Sequence, residues 1–152
     1  MKKIKLTQNK HVFVDDIDFD NLSKYKWYFH FGYAMRTDNK NKKTLLMHRI
    51  IMNTPIYYQV DHINGNTLDN RRDNLRNCLL EQNKMNIGIS KRNTSGFKGV
   101  HWYKKNKKWG CRIGGGKTRE FLGLFKSKIK AMFAYNQAAI KKYGIFARLN
   151  EI

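Results

Sequence analysis

Between residues 59 and 86 the chain is dense in Asp, Asn and His: Val60-Asp61-His62-Ile63-Asn64-Gly65-Asn66, then Leu68-Asp69-Asn70-Arg71-Arg72-Asp73-Asn74-Leu75-Arg76, then Glu81-Gln82-Asn83-Lys84-Met85-Asn86. A carboxylate at the end of a strand and an amide oxygen on a packed helix can hold one hard divalent cation from two sides. Magnesium and manganese favour oxygen ligands and keep several waters, so two protein oxygens and a phosphate oxygen suffice. A histidine beside such an ion can take a proton from a water attacking phosphorus. Asp61, His62 and Asn83 fit these roles.

The elements that must position them follow from the local pattern. Val60 and Ile63 suggest a short strand, Asn64-Gly65 is a strong turn dipeptide, Leu75 to Leu79 can pair back, and a helix begins near Leu80. The order is strand, loop, strand, helix. An isolated Asp-His pair is usually a surface pair or a cap, and Asn-Gly usually only a turn; the weight rests on the ordered set. Asn70 and Arg71 read as structural or phosphate-contacting. The other histidines, His11, His30, His48 and His101, have no metal-site spacing, and His48 reads as core or DNA-facing.

The pattern D-H-I-N-G-N, D-N-R, D-N-L-R and Q-N-x-x-N across residues 59 to 86 resembles the HNH homing endonucleases and their ββα-metal motif. The resemblance implies His62 as general base, Asp61 and Asn83 as metal ligands, and Asn74 as the catalytic-loop residue that braces the two strands. With Asn in place of the last His of some relatives, it also implies Mg2+ or Mn2+ rather than zinc, one ion per active site. Asn86 is an open alternative to Asn83, whose spacing is the closer match.

Composition agrees with a polyanionic partner. Thirty-one Lys and Arg against 11 Asp and Glu give a formal charge of +20, a field that concentrates nucleic acid. Apolar residues at 41% and aromatics at 13% are enough for a folded chain. The apolar runs are too short to cross a bilayer, and the basic amino terminus lacks a signal-peptide stretch. The expectation is an intracellular, cytoplasmic protein of a prokaryote or phage-infected host, neither secreted nor membrane-bound. The sequon at Asn93 then has no role. Cys78 and Cys111 form no C-x-x-C pair and read as small buried or half-buried thiols.

The charge is uneven. Residues 1 to 90 hold 15 basic against 9 acidic side chains, a balance of +6, whereas residues 91 to 152 hold 16 against 2, a balance of +14. The polar, glycine-bracketed stretch Gly88 to Gly96 reads as a joint between modules: a nuclease module over 1–88, with its ββα-metal core about 58–88, a linker over 89–94, and a DNA-binding domain over 95–150. In the last, Phe97 to Tyr103, Lys108 to Ile113 and Arg119 to Phe125 read as strands. Ser127 offers an N-cap, Ile129, Met132, Phe133 and Ile140 recur at helical spacing, and Gly144 is a stop.

The blocks Thr94 to Trp102, Lys108 to Ile113, Phe121 to Phe125 and Ala131 to Tyr143 resemble the APETALA or ethylene-response-factor domain, the likeness covering residues 95 to 149. That implies a three-stranded sheet in the major groove, with Trp102, Lys104, Trp109, Arg112 and Arg119 as contacts. Trp109 alternatively packs between sheet and helix. Arg71, Arg76 and Lys98 complete the expected DNA-binding set.

Towards the amino terminus, His11 to Val14 reads as a strand, Asp18 to Lys24 as a turn of helix, Trp27 to Arg36 as one aromatic strand ending in a turn at Asp38 to Asn41, and Leu46 to Met52 as a helix stopped near Pro55. Residues 1 to 58 either scaffold the metal site or add a second DNA contact. The expected class is α+β, a small ββα-metal HNH module plus a three-stranded antiparallel sheet packed on one helix. The expected activity is phosphodiester hydrolysis in double-stranded DNA by a phage or intron homing enzyme, a monomer or weak dimer needing no protein partner. The rivals are a catalytically silent DNA-binding regulator and a binder of structured RNA.

Overall fold

The computed structural model describes residues 1–152, the side chain of residue 117 excepted. The chain divides between Lys84 and Met85 into two compact units, and the architecture is α+β with small sheets, as expected.

In the first unit Lys2–Lys5 (β1) and His11–Val14 (β2) form an antiparallel hairpin. β1 escapes sequence reading because only Ile4 of its four residues turns inward. Asp16–Leu22 (α1) starts two residues ahead of the expected turn, with Asp16 and Asp18 in its first turn, where the helix dipole favours negative charge.

The expected strand Trp27 to Arg36 is instead a hairpin, Tyr28–His30 (β3) with Tyr33–Asp38 (β4). Phe31 and Gly32, at φ 46 and 88, make a two-residue turn of left-handed residues, the kind whose twist matches that of antiparallel strands. Lys43–Leu46 (β5) completes a three-stranded sheet in the order β3-β4-β5. The intervening turn is tied by Asp38, whose carboxylate accepts from Lys40 N at 3.2 Å and Asn41 Nδ2 at 2.7 Å. Met47–Ile51 (α2) follows. Val12, Val14, Trp27, Ala34, Met47 and Leu75 lie in the common core.

The motif segment folds as Gln59–His62 (β6), a loop, Leu75–Cys78 (β7) and Leu80–Met85 (α3). β6 and β7 are antiparallel, with Asp61 opposite Arg76 and His62 opposite Leu75. The amino-terminal elements brace the loop between them. Phe13 N donates to Leu68 O and Asn70 N to Phe13 O, both at 2.8 Å. Arg72 donates its backbone N–H to Asp15 Oδ2 at 2.8 Å and grips both Asp18 oxygens at 2.7 and 2.8 Å. Phe13 on β2 and Asp15 and Asp18 at the start of α1 thus brace the loop of the motif.

The second unit is an antiparallel sheet in the order β10-β9-β8, made of Val100–Tyr103 (β8), Lys108–Ile113 (β9) and Glu120–Phe125 (β10), with Lys128–Tyr143 (α4) packed on one face. Ser127 caps α4 by accepting from Lys130 N, and Gly144 at φ 54 ends it. The face of α4 turned to the sheet carries Ala131, Met132, Tyr135 and Ala139, whereas Phe133 and Ile140, expected on the apolar stripe, are 51% and 55% exposed. Small residues let the helix sit close to the strands. Gly99, at φ 78, is required there, because a Cβ would strike the Tyr135 ring and Arg112 O. Both cysteines are free and buried. Among the described residues no helix is long and apolar enough to cross a membrane.

Candidate active site and nucleic-acid face

The β6–β7 ribbon presents Asp61 and His62 side by side, both nearly inaccessible at 4% and 5% exposure. Arg76, directly across the ribbon, reaches Asp61 Oδ2 with Nε at 2.8 Å and Nη2 at 2.5 Å. A cation opposite the carboxylate is what makes its burial tolerable. Two residues before Asp61, Gln59 Oε1 accepts from Asn83 Nδ2 at 2.7 Å, which fixes the Asn83 amide by its nitrogen.

His62 is enclosed by groups from three other segments. Its Nε2 lies 2.8 Å from Asn70 Oδ1. The ring of His48, on α2, meets it edge-on at 5.2 Å, and Tyr33, on β4, lies 6.2 Å away. Burial pushes the His62 imidazole below its ordinary value of 6.5, against the opposing pull of Asn70, Asp61 and Asp69. Burial, with the His62 and Arg49 charges, takes His48 down to about 3. Both rings are therefore neutral at neutral pH, and a neutral His62 can accept a proton.

The loop is held from within. Asn74 Oδ1 accepts from Asn64 N at 2.9 Å and its Nδ2 donates to Asp69 O at 2.7 Å. Asn64 Nδ2 donates to Asp69 Oδ2 at 2.9 Å, while Arg71 grips both Asp69 oxygens at 2.7 Å. The Arg71 guanidinium holds the Asp69 carboxyl below the usual carboxylate range.

The sequence profile described as HNH endonuclease matches residues 46–85, the span from the end of β5 through α3. An uncharacterized HNH endonuclease of Acanthamoeba polyphaga mimivirus is 32% identical over 138 residues, which are 86% of this chain and 70% of that protein. The chain belongs to the HNH endonuclease family. Protein 3.8 of Escherichia phage T7 is also similar, 43% identical over 68 residues; the match takes in 44% of this chain and only 56% of the phage protein.

For an HNH endonuclease the implied cofactor is a divalent cation, and the donors present suit a hard ion. The Asp61 carboxylate and the Asn83 amide offer oxygen, and among the described residues no three His, Cys, Asp or Glu side chains cluster as a metal cage. Asn86, the alternative ligand, is buried at 8% exposure and belongs to the second unit.

Of the residues expected to contact DNA, Arg71 and Arg76 are committed to Asp69 and Asp61. Lys98 is half-buried, donating from Nζ to Met85 O at 2.8 Å and Ile87 O at 2.6 Å. Lys104 and Arg119 are exposed. The strand register sorts the remainder. Trp109, Cys111 and Ile113 belong to the α4 side of the sheet, so Trp102, opposite Trp109 with ring centroids 5.1 Å apart, shares that side and remains 45% exposed.

The other face carries His101, Tyr103, Lys108, Arg112 and Phe121, as the pairings Tyr103 with Lys108 and Phe121 with Arg112 require. Arg112 lies over the Tyr103 ring at 5.4 Å and hydrogen-bonds its hydroxyl. Gly110 makes room, since a Cβ there would strike the Tyr103 ring. Sequence reasoning passed over His101, Tyr103 and Phe121. The available signal was Gly110 itself, because glycine inside a strand often marks a close approach. His48 and Tyr33 were missed as neighbours of His62 because they come from elements distant in sequence that no spacing rule joins, and Asn70, read as structural or phosphate-contacting, proves to be the partner of the ring eight residues away.

Proposed function

We propose that this HNH endonuclease hydrolyses a phosphodiester bond of double-stranded DNA in the manner of phage or intron homing enzymes, with one Mg2+ or Mn2+ per active site. The observation that carries the reading is His62: a buried, neutral imidazole beside Asp61 on the ribbon of an HNH motif. As general base His62 takes the proton of the water whose oxygen attacks phosphorus, and the bond to the leaving oxygen breaks. Asp61 and Asn83 would hold the cation. When bound, it polarises the phosphate and stabilises charge developing on its oxygens. Asn74 keeps the loop closed against the ribbon.

The test is conversion of supercoiled plasmid to nicked or linear product. Cleavage with Mg2+ or Mn2+ and none after chelation is the expected result. Bound plasmid that is never cut under any divalent ion would sink the nuclease reading and favour a silent DNA-binding regulator.

The second unit supplies most of the affinity in this reading. A three-stranded sheet backed by a helix, with a charged free face, supports the APETALA-type assignment, because a ribbon of strands fits the major groove. Arg112, pre-set on Tyr103, is the base or phosphate contact on that face, with Lys104 and Arg119 on phosphates at its rim. Trp102 extends the surface on the helix side. Alanine at both Lys104 and Arg112 should make log affinity fall less steeply with log salt, by about 0.9 for each phosphate contact removed. Binding isotherms at several salt concentrations measure it, and an unchanged slope would move the contact surface elsewhere.

A further inference from the structure

We infer that Asn70 is the positioning residue for His62: its buried amide oxygen accepts from His62 Nε2, keeping the ring proton on that nitrogen and the lone pair on Nδ1 for the proton transfer. This rests on the reading of His62 as the base.

Three observations support it. The contact is 2.8 Å long and both side chains are buried, Asn70 at 0% exposure. An amide oxygen only accepts, so the imidazole nitrogen facing it must be the N–H, and in a neutral ring the other nitrogen then carries the lone pair. Asn70 is itself held by backbone bonds: its N–H donates to Phe13 O on β2 at 2.8 Å, and the preceding carbonyl, Asp69 O, accepts from Asn74 Nδ2 at 2.7 Å. The amino-terminal hairpin thus sets the loop, the loop sets Asn70, and Asn70 sets the ring.

The fourth observation concerns cost. Asn70 Nδ2 is buried without a hydrogen-bond partner among the described residues. An unpaired buried donor is destabilising, and an apolar residue of the same size would avoid it. The amide oxygen, by contrast, is used on His62 Nε2, so the orientation of this asparagine is set by the ring it serves. Misassigned tautomers are known to disable histidine bases that keep their geometry.

The experiment uses the full chain labelled with 15N. Ring correlations assign the His62 tautomer, the His62→Ala spectrum identifying its signals, and steady-state nicking gives kcat and KM. The wild type is expected to carry the proton on Nε2. Asn70→Leu, which removes the acceptor, should lose that preference and lower kcat on the order of 10²-fold with KM unchanged. Asn70→Asp keeps an acceptor oxygen in place and should restore the Nε2–H form with most of the activity. Where Asn70→Leu fails to fold, the wild-type and Asn70→Asp spectra decide. A wild-type ring protonated on Nδ1, or a tautomer and kcat unchanged in Asn70→Leu, would overturn the assignment while leaving the base reading intact. Full nicking by His62→Ala overturns the base reading instead, and the positioning role with it.

Discussion

His62→Ala is expected to lower divalent-ion-supported nicking by about 10²–10⁴-fold, the contribution usual for a positioned general base, with duplex affinity unchanged. The separation is expected because the side chain is 5% exposed and lies within the first unit, whereas the dense positive charge falls in residues 91 to 152, with 16 basic against 2 acidic side chains. His62→Gln, which keeps a polar side chain near Asn70, guards against a packing artefact and should be similarly slow. Gel conversion under single turnover, beside filter binding without divalent ion, measures the two quantities. Nicking within a few-fold of wild type in both variants would remove His62 from the chemistry. Joint loss of binding and nicking would make it a folding residue.

The second large effect is expected at Arg76. Truncation to alanine leaves the Asp61 carboxylate buried without the guanidinium that meets it across the ribbon, with side-chain exposures of 5% for Asp61 and 15% for Arg76. Removing one partner of such a pair typically destabilises by about 3–5 kcal/mol, much more than removing both. The double variant Asp61→Asn with Arg76→Leu should therefore be closer to wild-type stability than Arg76→Ala alone.

Urea titration read by circular dichroism provides the comparison. Because Asp61 is also the proposed ligand, Mn2+ should recover part of the stability lost in Arg76→Ala and none in the double variant, since a ligand that binds only the folded state shifts its midpoint. An Arg76→Ala midpoint indistinguishable from wild type would show that Asp61 is not committed to Arg76 in solution. Equal recovery by Mn2+ in both variants would place the ion away from Asp61.

Much was legible in the sequence because it depends on order and type. The strand, loop, strand, helix arrangement around Asp61, His62, Asn74 and Asn83 followed from a turn dipeptide and apolar spacing, and α3 begins at Leu80 where expected. The sheet and capped helix of the second unit were equally readable, since Ser127 and Gly144 act through their own backbone neighbours. The charge gradient needs no structure at all. Family membership rests on the mimivirus relative, 32% identical over 138 residues, and the span matched by the HNH profile, 46–85, contains these residues.

Tertiary structure decided whatever depends on which segments meet. The hairpin at Phe31-Gly32 replaced a single strand because two left-handed residues turned the chain inside an otherwise continuous aromatic run. Trp102 went to the helix side of its sheet because register fixes side-chain direction, and one residue of shift exchanges the faces. Asp61 found Arg76 only through the pairing of β6 with β7. Above all, Asn70, eight residues from His62 and read from sequence as structural or phosphate-contacting, became its partner because β2 holds the loop that carries it. Composition and spacing named the groups able to do the chemistry; long-range hydrogen bonds, which no local pattern encodes, determined how those groups are held.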